Sequence, residues 1–444
     1  MKRVQRRTLI TLCLTAILAL GLMWFCGKCA MNGRGWVNYF AGTSLYQSGS
    51  IYDRNGTVLY DGNTGSYAED ESTRVSTLHL IGDGNTSTSV RRTLSSRLAG
   101  YNPITGTTLG RHDLTLTVDA DLNRVAYQAL KGKKGTVGVY NYKTGEVLCM
   151  VSAPSYDPTN PPTDIEGNSA YEGVYLNRFI SSTFPPGSIF KLVTTAAAID
   201  TLSGLWDMRF DCTGSTVIQG ETFTCPYAHG SNMDVGAALA KSCNGAYAQI
   251  ALELGGQTLL RYTEEGGLLD RLDVNGLTTA AGSFTAEAGG SASLGWSGVG
   301  QDKNMVNPCA FMTLMGGVAN NGTAVLPRLV ESETLSGSKI PAALGAGSDT
   351  KKIWSPATCS ALKEMMRNNV TSSYSDLDFG GLPVCAKSGT AEVGGGAAPH
   401  AWFTGFVDDN QHPWAFIVLV ENGGSGASTA GSVAAKVLRS ALEG

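Results

Sequence analysis

Residues 184–200 read FPPGSIFKLVTTAAAID. Pro185, Pro186 and Gly187 close an extended approach, and residues 189–202 hold neither Gly nor Pro, so the pattern predicts a helix opening at Ser188. Residues three apart share a helix face, which brings the Lys191 amine within reach of the Ser188 hydroxyl. The start of the helix adds backbone N–H groups and a positive dipole end, suited to an oxyanion forming on an attacked carbonyl. An amine acts as a base near neutral pH only when burial or a neighbouring cation lowers its pKa. The stretch therefore carries the parts of a lysine-activated serine nucleophile.

Alone, the pattern is weak. Ser-x-x-Lys also occurs at Ser336/Lys339 and Ser348/Lys351, in stretches that read as loops without a rigid frame, and at Ser360/Lys363. Two further stretches decide between the four. AKSCNGAYAQIALELG (240–255) opens with Ser242-Cys243-Asn244 and runs on as a helix, and CAKSGTAEVGGG (385–396) gives a strand-like Lys387-Ser388-Gly389-Thr390. A second Lys-Thr-Gly, at 143–145, falls in a hairpin turn ahead of every serine–lysine pair. Only the set 188, 242, 387 runs in order with each member on an ordered element.

The surrounding elements give the fold class. DADLNRVAYQALKG (119–132) places Leu122, Val125, Ala126 and Leu130 at helical spacing. KGTVGVYNYKTGEVLCMVSAP (134–154) predicts two strands about a Lys-Thr-Gly turn; 401–409 and 414–422 predict another pair, and 428–443 a closing helix. Helix, strands, a mostly helical insert, strands and helix predict an α+β domain with a central antiparallel sheet flanked by helices. Before it, residues 33–120 are polar and short-patterned, with a hairpin around Asn55-Gly56 and a short helix and turn in 85–108. They carry no chemistry and read as a pedestal.

Residues 8–26, TLITLCLTAILALGLMWFC, are uncharged and follow Lys2, Arg3, Arg6 and Arg7. As a helix this run is roughly 28 Å long, about the thickness of a bilayer core. The expected topology is a single-pass anchor with a cytoplasmic N-terminus and everything beyond about residue 27 outside. The first 30 residues take five of the 33 basic residues and none of the 37 acidic ones, which leaves 28 against 37 and a formal charge of −9. Nucleic acid is not an expected partner.

Charged residues make up 16% of the chain and glycine 56 of 444 positions, a turn-rich globular composition. The five histidines form no HExxH or paired metal spacing, and GxSxG and GxxxxGK[ST] are absent, so neither a metal hydrolase nor a phosphate-loop enzyme is expected. Among ten cysteines, Cys26 and Cys29 form a CxxC at the outer edge of the apolar run and read as membrane-proximal thiols. Cys212 and Cys225 bracket a hairpin-like loop that a disulfide could close, and Cys243 reads as a packed side chain between two site residues.

Ser188-x-x-Lys191, Ser242-x-Asn244 and Lys387-Ser388-Gly389, in that order, resemble the penicillin-binding protein and serine β-lactamase superfamily. GSIYDRNGTVL, VLCMVSAPSYDPTNPP, FPPGSIFK, SCNGAYAQIA, KSGTAE and HAWFTGF are similar to blocks of the anchored class B members, the peptidoglycan D,D-transpeptidases, and the likeness runs from about residue 49 to the end. The resemblance implies a β-lactamase-like transpeptidase domain at 119–444, a pedestal of the dimerisation-domain type at 27–118, an anchor at 8–26 and a cytoplasmic tail at 1–7 in a bacterial cell membrane. It implies Ser188 as the acylated nucleophile, Lys191 as its base, Ser242 as a proton relay and Asn244 on the substrate backbone. Lys387 would add positive field, Ser388, Gly389 and Thr390 would bind the terminal carboxylate, and the Ser188 and Thr390 N–H groups would form the oxyanion hole. Stem peptides ending in D-Ala-D-Ala are the implied substrate and β-lactams covalent inhibitors. A polytopic membrane glycosyltransferase is the implied partner, and no metal or cofactor is implied.

Two departures stand out. Pro185, directly before Pro186-Gly187, occupies a place where the family more often has an acidic residue, and residues 295–322 match the usual block loosely. A D,D-carboxypeptidase, a β-lactamase or penicillin sensor of the same fold, and a non-catalytic wall-synthesis scaffold remain the alternative readings.

Overall fold

The computed structural model describes residues 2–40, 48–86, 88–99, 101–102, 107–108, 111–287, 291–335, 338–341, 349–374 and 376–443. Its main helices are α1 (Lys2–Phe40), α2 (Ala120–Ala129), α3 (Lys191–Thr201), α4 (Asn244–Leu254), α5 (Pro308–Ala319) and α6 (Gly431–Glu443). A five-stranded sheet is built from β1 (Gly135–Asn141), β2 (Val147–Ala153), β3 (Val384–Ala391), β4 (His400–Val407) and β5 (Trp414–Val420). The strand order is β3-β4-β5-β1-β2 and every neighbouring pair is antiparallel. The expected α+β class and antiparallel sheet are thus observed.

Local chemistry sets these elements. Asp119 caps α2 by accepting from the Leu122 N–H at 2.9 Å, and the Lys143-Thr-Gly stretch turns β1 into β2. Along β1, Val137 and Val139 face the side covered by α2 and α6, while Tyr140 faces the side covered by α5. Gly138 has no side chain because a Cβ there would stand 2.2 Å from the Phe179 ring. Phe416 and Val418 of β5 alternate with Ile417 and Leu419 in the same way. With helices on both faces, these strands read as continuous apolar runs rather than as alternation.

The apolar N-terminal run lies in α1, which continues well past residue 26. Its Val4–Lys28 part is long and apolar enough to cross a membrane. After it, residues 51–52 and 58–61 form the expected hairpin across Asn55-Gly56. That hairpin belongs to a six-stranded sheet in the order Ser338–Pro341, Val330–Leu335, His112–Leu116, Ile51–Tyr52, Val58–Asp61, Ser66–Tyr67. Strand His112–Leu116 pairs parallel with Ile51–Tyr52 and antiparallel with Val330–Leu335. Ile51, Leu80 and Leu114 share one continuous core with Phe190 and Phe311, and Arg74 forks onto Asp157 through contacts of 2.8 and 2.6 Å. The pedestal segment and the segment beyond 119 therefore have a sheet and a core in common.

One expectation needs correction. Lys339 and Lys351 fall on strands, Ser338–Pro341 and Thr350–Lys352, where loops were expected; backbone pairing to residues 332–335 and 323–325 fixes them. Their partner serines, Ser336 and Ser348, lie outside the described residues.

Candidate active site

Ser188 sits in a 3-10 turn, Gly187–Phe190, that runs directly into α3, so Lys191 is the first residue of the α-helix. Neighbouring segments hold this turn from several sides. Phe184 exchanges backbone hydrogen bonds with Val306 at 3.0 and 2.9 Å, and the Gly187 N–H donates to the Gly300 carbonyl at 2.8 Å. The Trp402 indole N–H donates to the Pro185 carbonyl at 2.9 Å. Gly187 is left-handed, with φ +54°, and a Cβ on it would meet the Thr390 carbonyl oxygen at 2.4 Å. Only glycine lets the serine turn press this closely on β3. Phe184, ahead of the double proline, packs edge-on against His400 and Trp402 at 5.9 and 6.2 Å between ring centres. Residues 300 and 306, in the loosely matched block, thus brace the Ser188 turn, and Asn307 ties its approach further by donating to the Ile180 and Ser182 carbonyls at 2.9 Å each.

Lys191 is fully buried between α3 and α4. Its amine donates to the Ser242 carbonyl at 2.6 Å, to Asn244 Oδ1 at 2.7 Å and to Ser242 Oγ at 3.2 Å. The amine's hydrogen bonds go to the second motif and not to the Ser188 hydroxyl expected from the i,i+3 spacing. Burial pushes the amine down to about 7, the range a base needs at neutral pH.

Ser242 is held at φ +56°, a conformation that non-glycine residues rarely adopt and that marks functional turns. Cys243 follows as the N-cap of α4. From the other side, the buried Lys387 of β3 donates to Ser242 Oγ at 3.0 Å and to the Ser388 carbonyl at 2.8 Å. Burial, and then the neighbouring Lys191, hold the Lys387 amine well below its ordinary range. One hydroxyl therefore stands between two buried amines in the floor of the site.

Above that floor opens a cleft of about 760 Å³ lined by Ser188, Ser242, Asn244, Ser388 and Thr390, among others. The Ser388 hydroxyl accepts from the Tyr374 hydroxyl at 2.8 Å, and Thr390 Oγ1 accepts from the Gly426 N–H at 3.4 Å. At Gly389 a Cβ would come within 3.1 Å of the Ile189 backbone nitrogen, so this glycine permits β3 to lie against the serine turn. The structure thus gathers all eight sequence-derived site residues at one cleft and its floor. Tyr374, Trp296, Gln301 and Tyr227 also line it, and no motif pointed to them. Only the aromatic content of their stretches was visible, with nothing to place it here.

Asn244 is more committed than its implied role suggests. Its Oδ1 takes the Lys191 amine, its Nδ2 donates to the Thr224 carbonyl at 2.7 Å, and its backbone N–H donates to Cys225 Sγ at 3.3 Å. One amide hydrogen is left for a ligand. Cys212 and Cys225 are free thiols in the structure, so no bridge closes the hairpin loop.

The likeness to known proteins follows this geometry. The model of the penicillin binding protein transpeptidase domain matches residues 135–443. The peptidoglycan D,D-transpeptidase PbpA of Mycolicibacterium smegmatis is 30% identical over 376 residues, spanning 79% of this chain and 75% of that protein. Its namesake from Mycobacterium tuberculosis is 29% identical over 378 residues, spanning 80% and 76%. The solved penicillin-binding protein A of M. tuberculosis, a ceftriaxone acyl-enzyme complex, superposes with a TM-score of 0.76 at 24% identity, covering 90% of this chain and 99% of that one. A D,D-transpeptidase domain from Eggerthella lenta gives 0.76 at 23%, covering 90% and 98%, and these two likenesses are ones of fold. The chain belongs to the penicillin-binding protein transpeptidase family. It is a class B member, a serine-type peptidoglycan D,D-transpeptidase.

Proposed function

We propose that Ser188 is the nucleophile of this transpeptidase and that Lys191, Ser242 and Lys387 move its protons. The observation that carries this reading is the Ser242 hydroxyl standing 3.2 and 3.0 Å from two buried amines at the foot of the Ser188 cleft. A neutral Lys191 has two N–H bonds and one lone pair. The Ser242 and Asn244 carbonyl oxygens take the two hydrogens, which leaves the lone pair to accept the Ser188 proton.

As Ser188 Oγ bonds to the carbonyl carbon of the penultimate D-alanine, negative charge moves to the carbonyl oxygen, facing the Ser188 and Thr390 N–H groups. Collapse breaks the C–N bond. The departing amine takes a proton through the Ser242 hydroxyl, which is refilled from Lys191, with the Lys387 amine donating to the same hydroxyl. Ser388 and Thr390 hold the terminal carboxylate. The amine of a neighbouring stem peptide then attacks the ester, forms the cross-link and frees Ser188. A β-lactam opens its ring amide along the same path, but its leaving nitrogen stays tethered.

The same reading assigns α1 as a single-pass anchor with a cytoplasmic N-terminus, residues 27–118 as a pedestal and 119–444 as the catalytic domain. A polytopic membrane glycosyltransferase that meets α1 and the pedestal would supply the glycan strands. Intact-mass spectrometry of the full-length chain in detergent with benzylpenicillin, beside Ser188→Ala, tests the assignment. A single stable adduct on the wild type and none on the variant is expected. An adduct that persists on Ser188→Ala would place the nucleophile elsewhere, and rapid drug hydrolysis without adduct would make the chain a β-lactamase.

A further inference from the structure

Three cysteines and one histidine from the stretch 212–243 meet behind the Ser242–Asn244 turn. The ligand atoms of Cys212, Cys225, His229 and Cys243 all lie within 4.8 Å of one another. Cys212 and His229 come from a two-stranded pair, Phe210–Cys212 with Gly230–Met233, where the His229 N–H donates to the Cys212 carbonyl at 3.0 Å. Cys225 follows the hairpin 215–224, and Cys243 caps α4. Cys212, His229 and Cys243 are buried, Cys225 is half-buried, and all three sulfurs are free thiols. Both ring nitrogens of His229, a residue only 3% exposed, are buried without a hydrogen-bond partner. A buried imidazole with neither nitrogen engaged is costly, and most such groups in folded proteins have a partner.

We propose that Cys212, Cys225, His229 and Cys243 form a structural zinc site that clamps the Ser242–Asn244 turn against Lys191. Tetrahedral zinc sites use just these donor types, and a Zn–S distance of ~2.3 Å puts sulfurs about 3.8 Å apart, so the observed spread needs little closing. The Asn244 N–H that donates to Cys225 Sγ at 3.3 Å is the outer-shell contact a thiolate ligand needs. Each zinc-bound thiol releases its proton, so the filled site carries a net charge of about −1 beside the two amines. Its place explains its use: Cys243 is the middle residue of the second motif, and Cys225 bonds the third. Fixing both sulfurs fixes the left-handed Ser242 and the Asn244 amide that together grip the Lys191 amine. The metal touches no reacting atom, so the four ligands are positioning residues.

Zinc content is measured by plasma mass spectrometry on the full-length chain, purified in detergent with reductant and without chelator, beside Cys225→Ser, Cys243→Ser and His229→Ala. About one zinc per chain is expected in the wild type and less than about a tenth of that in Cys243→Ser. Because a variant can fail to fold, native alkylation of the wild type is mapped as well. Cys212, Cys225 and Cys243 should resist the reagent until a chelator is added, and then react together. Benzylpenicillin adduct formation is read on the same samples, and its rate should fall at least about tenfold on chelation and return with zinc chloride. Three results would overturn the proposal: no zinc even after equilibration with zinc chloride in reductant, full zinc retained by all three variants, or a disulfide among these cysteines in the freshly purified chain. Unchanged acylation after zinc removal would overturn the clamp. Failure of the adduct on Ser188 with zinc in place would instead strike the catalytic assignment, which the metal measurement does not use.

Discussion

The two walls of the cleft are built in opposite ways. On one side β3 pairs with β4 residue by residue, from Val384 opposite Val407 to Ala391 opposite His400, and β4 is backed in turn by β5. On the other side, residues 210–233 form two separate two-stranded pieces, one with a shifted register, and show Val217 and Tyr227 largely to solvent. A backbone ladder fixes Lys387, Ser388 and Thr390 without help from their side chains. Ser242 and Asn244 have no ladder: a local turn holds the Ser242 N–H on the Leu239 carbonyl, and side-chain bonds tie the pair to Lys191 and to the thiol cluster behind. Precision at a site can thus come from the sheet or from a local knot of side chains, and this cleft combines one of each.

Cutting the joint between the walls should have the largest effect. Lys191→Met keeps most of the volume and removes the amine that spans Ser242 and Asn244; acylation by a chromogenic β-lactam should slow by about 10²–10⁴-fold in stopped-flow assays. A loss within tenfold would leave the second motif standing without its lysine and remove Lys191 as the base.

Next comes pH. Burial depresses the Lys191 amine to about 7, and its reactive form is the neutral one. Protonation below that value removes the lone pair, so the acylation rate should fall about tenfold per pH unit below 7 and level off above it. A profile flat from pH 6 to 8 would show that the floor does not set the proton balance.

The smallest change tests the laddered wall. Tyr374→Phe deletes the hydrogen bond to Ser388 at 2.8 Å while the β3–β4 pairing stays, so substrate affinity should weaken by about 1 kcal/mol, roughly fivefold, with the pH profile unmoved. A shifted profile would mean that the rim and the floor are one unit.

Much of this wall-and-floor plan is readable along the chain. The three motifs declare the chemistry because their order and spacing are local: a serine turn before a helix, a serine and asparagine before another, and a lysine on an edge strand. The strands beside Lys143-Thr-Gly and the helix at Ala120–Ala129 follow from turn chemistry and periodicity. What is not readable is set by contacts between distant segments. The thiol cluster is spaced Cys-x12-Cys-x3-His-x13-Cys, which matches neither HExxH nor CxxC. Lys191 was expected to serve Ser188 alone, since the i,i+3 rule sees its own helix and not the carbonyl groups of residues 242 and 244. Tyr374, Asn307 and the pairing of Val330–Leu335 with His112–Leu116 are likewise products of tertiary packing.

That last pairing has a consequence for the order in which the protein can be made. Strand His112–Leu116 leaves the ribosome long before Val330–Leu335, the neighbour that completes its sheet. Until then Leu114 and Leu116 sit beside an open strand edge, the kind of surface that recruits the wrong partner. The nascent chain must keep this edge single while the whole catalytic insert is synthesised. Its first and last thirds therefore come to share one sheet only after residues 330–335 have been made.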